Sequence, residues 1–163
     1  MKSYFLALMA MLVCCTSPAL AEPTAISKHG AYSVVVVDAH TCAMGALGTS
    51  SGLMISYDGK EDSFVMTPLT TSTEIKASVK YPMVVTLDGK ASQWTAIGDD
   101  FGTMRGLVMV AVSSADAYKA LLAANVIAFT LNGTEIVSLN GDADFRASLT
   151  DMIKCSLAVN AQK

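Results

Sequence analysis

The densest run of reactive side chains is His40-Thr41-Cys42-Ala43-Met44. Alternate residues of a strand project to one face. Imidazole, thiol and thioether would then stand in a row, a soft donor set suited to Cu(I). His40 and Cys42 would equally serve as a base and nucleophile pair. Both chemistries need Cys42 as a free thiolate, and a disulfide to Cys155 would remove it. Gly48-Thr49-Ser50-Ser51-Gly52 matches G-x-S-x-G, a pattern that sets a serine on a sharp strand-to-helix turn with its histidine later in the chain. Here a short strand follows, and His29 and His40 both lie upstream. The segment reads as a flexible loop, and Ser50 as one of its hydroxyls. Asp99-Asp100, between Gly98 and Gly102, offers a cation site or an acid/base pair; a solvated turn is the simpler reading. No complete catalytic set emerges, so no enzymatic activity, cofactor or metal site is assigned.

The ends of the chain say where these residues would work. Lys2, an apolar run over residues 5–15, Ser17-Pro18 and then Ala19-Leu20-Ala21 have the layout of a secretory signal peptide. The run is too short to span a bilayer, and no later stretch is apolar enough to do so. Residues 1–21 are expected to be cleaved, leaving 22–163 as a single β-rich domain in the periplasm, or released from a Gram-negative cell. Cleavage also removes Cys14 and Cys15. Export places the remaining Cys42 and Cys155 where disulfides persist. Their bridge would close a loop of about 112 residues and remove roughly 4–5 kcal/mol of unfolded-state freedom. The net charge of −3, with scattered lysines, is a poor match for nucleic acid, which demands clustered basic residues.

The positioning elements read as mainly β. Residues 22–30 form an extended lead-in and 31–44 one buried strand. Glycines 45, 48 and 52 make a loop. Strands over 53–57 and 63–66 flank the turn signal Asp58-Gly59, with Pro68 and residues 70–73 breaking the second. Ile75, Ala77, Val79 and Tyr81 alternate with polar residues, which predicts a half-buried strand. Strands over 83–87 and 93–97 flank Asp88-Gly89, and another covers 107–112. Ser113 caps a short helix, with Asp116 in its first turn and Asn125 as a left-handed end. Two apolar runs flank Asn132-Gly133, a dipeptide suited to a tight hairpin. The last helix opens at Asn140-Gly141-Asp142, puts Phe145, Leu149, Met152 and Ile153 on one face, and ends at Cys155. About eight or nine strands and two short helices, the last C-terminal, predict an antiparallel β-sandwich or a partly closed barrel.

Several stretches resemble the invasion-associated locus B family of small exported bacterial proteins. They are His40-Thr-Cys42-Ala-Met44, Tyr81-Pro-Met-Val-Val-Thr-Leu-Asp-Gly89, and Ala117-Tyr-Lys-Ala-Leu-Leu-Ala-Ala-Asn125 leading into Phe129-Thr-Leu-Asn-Gly133. The closing helix, residues 145–155, also resembles that of type VI secretion accessory proteins. The chain lacks the family's early Trp-x-Val-x-Cys and its central cysteine pair. The resemblance implies a β-rich, non-enzymatic periplasmic or surface protein, in some members linked to host-cell invasion. The export signal, the stapled core and the missing catalytic set point to a protein that works by binding another envelope, secretion-system or host protein. Two alternatives stand beside it: soft-metal binding through His40, Cys42 and Met44, and inhibition of a secreted hydrolase by an inserting loop at residues 43–53 or 98–105.

Overall fold

A computed structural model describes residues 25–161; the expected signal peptide lies outside them. The chain begins as a meander of β1 (Ala25–His29), β2 (Tyr32–Val36), β3 (Thr41–Leu47), β4 (Ser51–Asp58) and β5 (Ser63–Thr70). It continues with β6 (Lys80–Leu87), β7 (Lys90–Phe101), β8 (Met104–Val110), helix α1 (Ser114–Ala123), β9 (Val126–Leu131), β10 (Thr134–Asn140) and helix α2 (Ala143–Asn160). All the strands join one antiparallel sheet in the order β1-β2-β3-β4-β5-β8-β7-β6-β9-β10. The mainly β expectation holds, as does the C-terminal helix. The sheet does not close into a barrel: β1 pairs only with β2 and β10 only with β9. Instead it curls until β10 packs against β4 and β5, a sandwich-like arrangement.

Two hairpins follow directly from their turn residues. Asp88-Gly89 and Asn132-Gly133 take positive φ at both positions (47° and 80°, 50° and 80°), the twist-matched geometry of a two-residue turn. Asp58-Gly59 behaves differently. Asp58 pairs with Ser63 across a longer turn, and its carboxylate accepts from the N–H groups of Lys60 and Glu61 at 2.8 and 3.1 Å.

Other boundaries differ from the sequence reading. The lead-in is a strand, β1. The apolar run 31–44 is a hairpin, β2–β3, because the Asp38 carboxylate accepts from the N–H groups of His40 (2.7 Å) and Thr41 (2.9 Å) and folds the chain there. Glycines 45 and 52 lie inside strands, so only residues 48–50 turn. β5 runs through Pro68, where its pairing with β8 skips from Met66 to Leu69, as a residue without an N–H requires. The expected strand over 75–81 is mostly irregular. Ile75 is its buried anchor, Ser78 takes φ of 63°, and the Tyr81 hydroxyl accepts from Lys76 N–H at 2.8 Å. β7 continues through Asp99 and Asp100. Helix α1 ends at Ala124 in extended conformation rather than on a left-handed Asn125. Helix α2 is not short: it runs 18 residues, past Cys155 to Asn160.

The sheet's inner face and the helices make the core. Met44, Ile55, Phe64, Met66, Met83, Leu107, Ile127 and Phe129 meet Leu121 of α1 and Phe145, Leu149 and Met152 of α2. Helix α2 opens on Asp142, whose carboxylate accepts from Phe145 N–H at 2.9 Å. It then lies across β1 to β4. The Cys42–Cys155 disulfide joins helix to β3 with a Cα separation of 6.0 Å. Next to it, the buried Ser156 hydroxyl accepts from Cys42 N–H (2.8 Å) and donates to the Tyr57 carbonyl (2.6 Å). One side chain therefore satisfies two backbone groups on two strands. His40 Nδ1–H donates to Asn160 Oδ1 at 2.7 Å, and His29 Nε2–H to Asp151 at 2.9 Å. Both histidines thus fasten the helix to the meander.

Two predictions follow from this joint and its counterpart across the sheet. Ser156→Ala leaves the Cys42 N–H without an acceptor in a dry contact and is expected to cost about 1–3 kcal/mol, read as a lowered urea midpoint. The Asp88 carboxylate accepts from Val126 N–H and Asn125 N–H, both at 2.9 Å, and these bonds hold it below the usual carboxylate range. Asp151 is likewise lowered, chiefly by His29. A lowered folded-state value stabilises above the unfolded carboxylate's range, and the stabilisation disappears as pH falls through the folded value. Asp88→Asn is therefore expected to be less stable than the parent at pH 7, with the gap in urea midpoint narrowing as pH falls below the carboxylate range.

Candidate interaction surface

The residues singled out for chemistry are placed in structural roles. Cys42 is bonded to Cys155, which removes the thiolate from the His40, Cys42, Met44 set. Met44 is buried in the core and His40 holds Asn160. Cys42 and Met44 do alternate along β3, but on the side covered by helix α2, and His40 lies in the bend before that strand. Among the described residues, no group of three or more His, Cys, Asp or Glu side chains is arranged to hold a metal ion.

Ser50 sits in the tight turn between β3 and β4, where Leu47 pairs with Gly52 and Gly48 N–H donates to the Ser51 carbonyl at 2.8 Å. No helix follows it, and both histidines are engaged beneath α2. Asp99 and Asp100 point to opposite faces of β7, as adjacent strand residues must. Asp100 accepts from the Arg105 guanidinium across the β7–β8 pair, and Asp99 accepts from the Asp100 N–H at 2.8 Å. The two carboxylates therefore do not converge as an acid/base pair.

What the fold does bring together is the outer face of the sheet. With Val34, Cys42 and Ile55 turned inward, the cross-strand register puts Ser33, Gly45 and Met54 in one outward row and Val35 and Ala43 in the next. The row continues through Thr67 and Leu69 to Gly106 and Phe101. Here an apolar hollow of about 410 Å³ opens, lined by Val35, Leu47, Met54, Leu69, Phe101 and Met104 among others. Leu47 is 70% exposed on its rim. Part of its wall comes from β2, Met54 and Leu69, and the rest from the two segments read as candidate inserting loops, 43–53 and 98–105. Each proves to be a hairpin with a short turn, and the two tips lie side by side.

Gly106 lets the Phe101 ring on the wall of the hollow lie flat against β8. A β-carbon there would run into the Phe101 ring, which lies across the glycine, and into the Thr67 methyl group at 2.9 Å. The aromatic ring so covers the backbone where a side chain is missing, and the deeper Thr67 and Leu69 stay dry although they face outward. Farther along the same face, Ile97 pairs with Val108 and Val65 with Val110, which extends the apolar surface. Sequence reading missed this site because it depends on strands distant in order, β3–β4 and β7–β8, being neighbours through β5. The alternation of Val35, Ala43 and Gly45 with inward residues was the only local signal.

No family model, curated protein or solved structure matches the chain. No described helix is long and apolar enough to cross a membrane.

Gly106→Ala is expected to displace Phe101 and cost about 1–3 kcal/mol through overpacking. The check is a urea melt together with the exposure of the apolar face, read by dye binding.

Proposed function

We propose that the chain is an exported, non-enzymatic binding protein of the bacterial envelope, and that it docks another envelope, secretion-system or host protein on the outer face of its sheet. The observation that carries this reading is the apolar hollow beside Leu47, Met54 and Phe101. An apolar depression bordered by exposed aliphatic side chains is the usual anchor point of a protein interface. The disulfide supports the same reading, since a bridge between β3 and α2 suits an oxidising compartment. So does the resemblance to the invasion-associated locus B family, which implies a non-enzymatic periplasmic or surface protein. A hydrolase inhibitor is the second reading, favoured by one observation: the β3–β4 and β7–β8 tips stand together and would be presented together.

The test compares capture from envelope extracts by tagged residues 22–163 and by Leu47→Asp, with crosslinking from the neighbouring turn to locate the contact. The expected result is a partner crosslinked at this face and lost at least tenfold in Leu47→Asp, corresponding to about 1.4 kcal/mol, with an unchanged circular dichroism spectrum. Turnover of a generic ester or peptide substrate, abolished by Ser50→Ala, would instead replace the binding reading with an enzymatic one.

A further inference from the structure

Four places in the chain carry an aspartate or asparagine followed by glycine: Asp58-Gly59, Asp88-Gly89, Asn132-Gly133 and Asn140-Gly141. Such a pair can react with itself. The glycine nitrogen attacks the side-chain carbonyl carbon of the residue before it, and a glycine carries no β-carbon to obstruct the five-membered ring that closes. Two conditions control the reaction. The side chain must be an unoccupied electrophile, and the glycine N–H must be free of an acceptor.

Three of the four pairs fail at least one of them. The Asp58 carboxylate accepts from Lys60 N–H and Glu61 N–H, and Gly59 N–H donates to the His40 carbonyl at 3.0 Å. The Asp88 carboxylate accepts from Asn125 N–H and Val126 N–H, bonds that keep it ionised at neutral pH, and a carboxylate is a poor electrophile. Gly141 N–H donates to the Asn125 carbonyl at 2.9 Å. A β-carbon on Gly141 would lie 2.0 Å from the Ala124 carbonyl oxygen, so this glycine is held in a tight corner.

Asn132-Gly133 meets both conditions. Asn132 is exposed, and among the described residues neither its amide nor the Gly133 N–H has a hydrogen-bond partner. Nothing lies within 4 Å of where a Gly133 β-carbon would be. The turn must open for the ring to close, and one side of it is weakly held. β9 is paired on its far side with β6, at Leu131–Met83 and Thr130–Val84. β10 is the edge of the sheet, and its pairing with β9 is interrupted by a bulge just past Glu135. The first residues of β10 can therefore detach while the rest of the sheet stays paired. The Asp88-Gly89 hairpin has no such weak side, since β6 and β7 pair without interruption and each has another strand beyond it.

We propose that Asn132 is a site of spontaneous modification, at which the asparagine becomes aspartate or isoaspartate with water as the only co-reactant. The Gly133 nitrogen bonds to Asn132 Cγ, the Cγ–Nδ2 bond breaks, and ammonia leaves with the Gly133 proton. Water then adds across one of the ring's two carbonyl–nitrogen bonds, giving aspartate from one and isoaspartate from the other. Either product puts a negative charge on the hairpin tip. Isoaspartate also routes the main chain through the side-chain methylene, in a turn that depends on two residues at positive φ, and β10 loses its register with β9. Asn132 and Gly133 lie outside the apolar hollow, so the reaction is independent of docking there.

The experiment incubates the purified protein in mildly alkaline buffer, folded and in concentrated urea. Peptide mass spectrometry locates each conversion of amide to acid, and labelling by an isoaspartyl methyltransferase counts the isoaspartate. In urea, Asn132 and Asn140 should convert at similar rates, since each precedes glycine in an open chain. In the folded protein Asn132 should convert about tenfold faster than Asn140 or more, because ring closure at Asn140 must wait for a larger opening. Asn132→Gly keeps a residue suited to the turn and should abolish most of the labelling with an unchanged circular dichroism spectrum. Equal rates at the two asparagines in the folded protein, a faster reaction at Asn140, labelling undiminished in Asn132→Gly, or no conversion of folded Asn132 while the urea sample reacts would overturn the proposal.

Discussion

Helix α2 reaches the meander through a short row of contacts, and the shape of the molecule depends on them. Cys42–Cys155 is the covalent member; Ser156 spans the Cys42 and Tyr57 backbones, and His40 and His29 grip Asn160 and Asp151. Without the helix, the inner face of β1 to β4 would have Phe145, Leu149 and Met152 missing from its core. A sheet with one uncovered apolar face is not stable in water. The bridge acts on the unfolded chain as well, where closing so long a loop removes roughly 4–5 kcal/mol of freedom. That is comparable with the whole net stability of a small domain.

The same arrangement determines where binding surface is left over. Because α2 and α1 fill the inside of the curl, the outer face carries the remaining apolar residues, and the hollow by Phe101 forms there. Because the curl stops short of pairing β10 with β4 or β5, a polar cleft remains at the seam. One surface is apolar and offers shape; the other is lined mostly by polar residues. Each reflects a limit of the same sheet, which covers its core completely but not its edges.

Much of this was readable from local chemistry. Asp88-Gly89 and Asn132-Gly133 specify their hairpins because few residues tolerate positive φ twice in succession. Ser113 and Asp142 announce helix starts by their side-chain oxygens, and both accept from the N–H three residues on. Export and the count of remaining cysteines led to the Cys42–Cys155 bridge. What escaped was decided by side chains acting at a distance or against the local pattern. Asp38 breaks an apolar run by capturing two N–H groups, which no hydrophobic period records. Residues 75–81 alternate like a strand, yet Tyr81 ties the loop back onto itself. Arg105 holds Asp100 within β7, where neighbouring glycines had suggested a loop. The candidate surface was least accessible of all, since it joins strands far apart in the chain.

The central claim is that α2 is held to β1–β4 by the bridge and the hydrogen bonds beside it. Amide hydrogen exchange, compared between the native protein and the same protein reduced and alkylated, tests it most directly. Reduction should strip protection first and most from residues 143–160 and from the β2 and β3 amides beneath them, while β6 and β9 keep theirs longest. Identical protection with and without reductant, or a loss beginning in β6 and β9, would contradict the account.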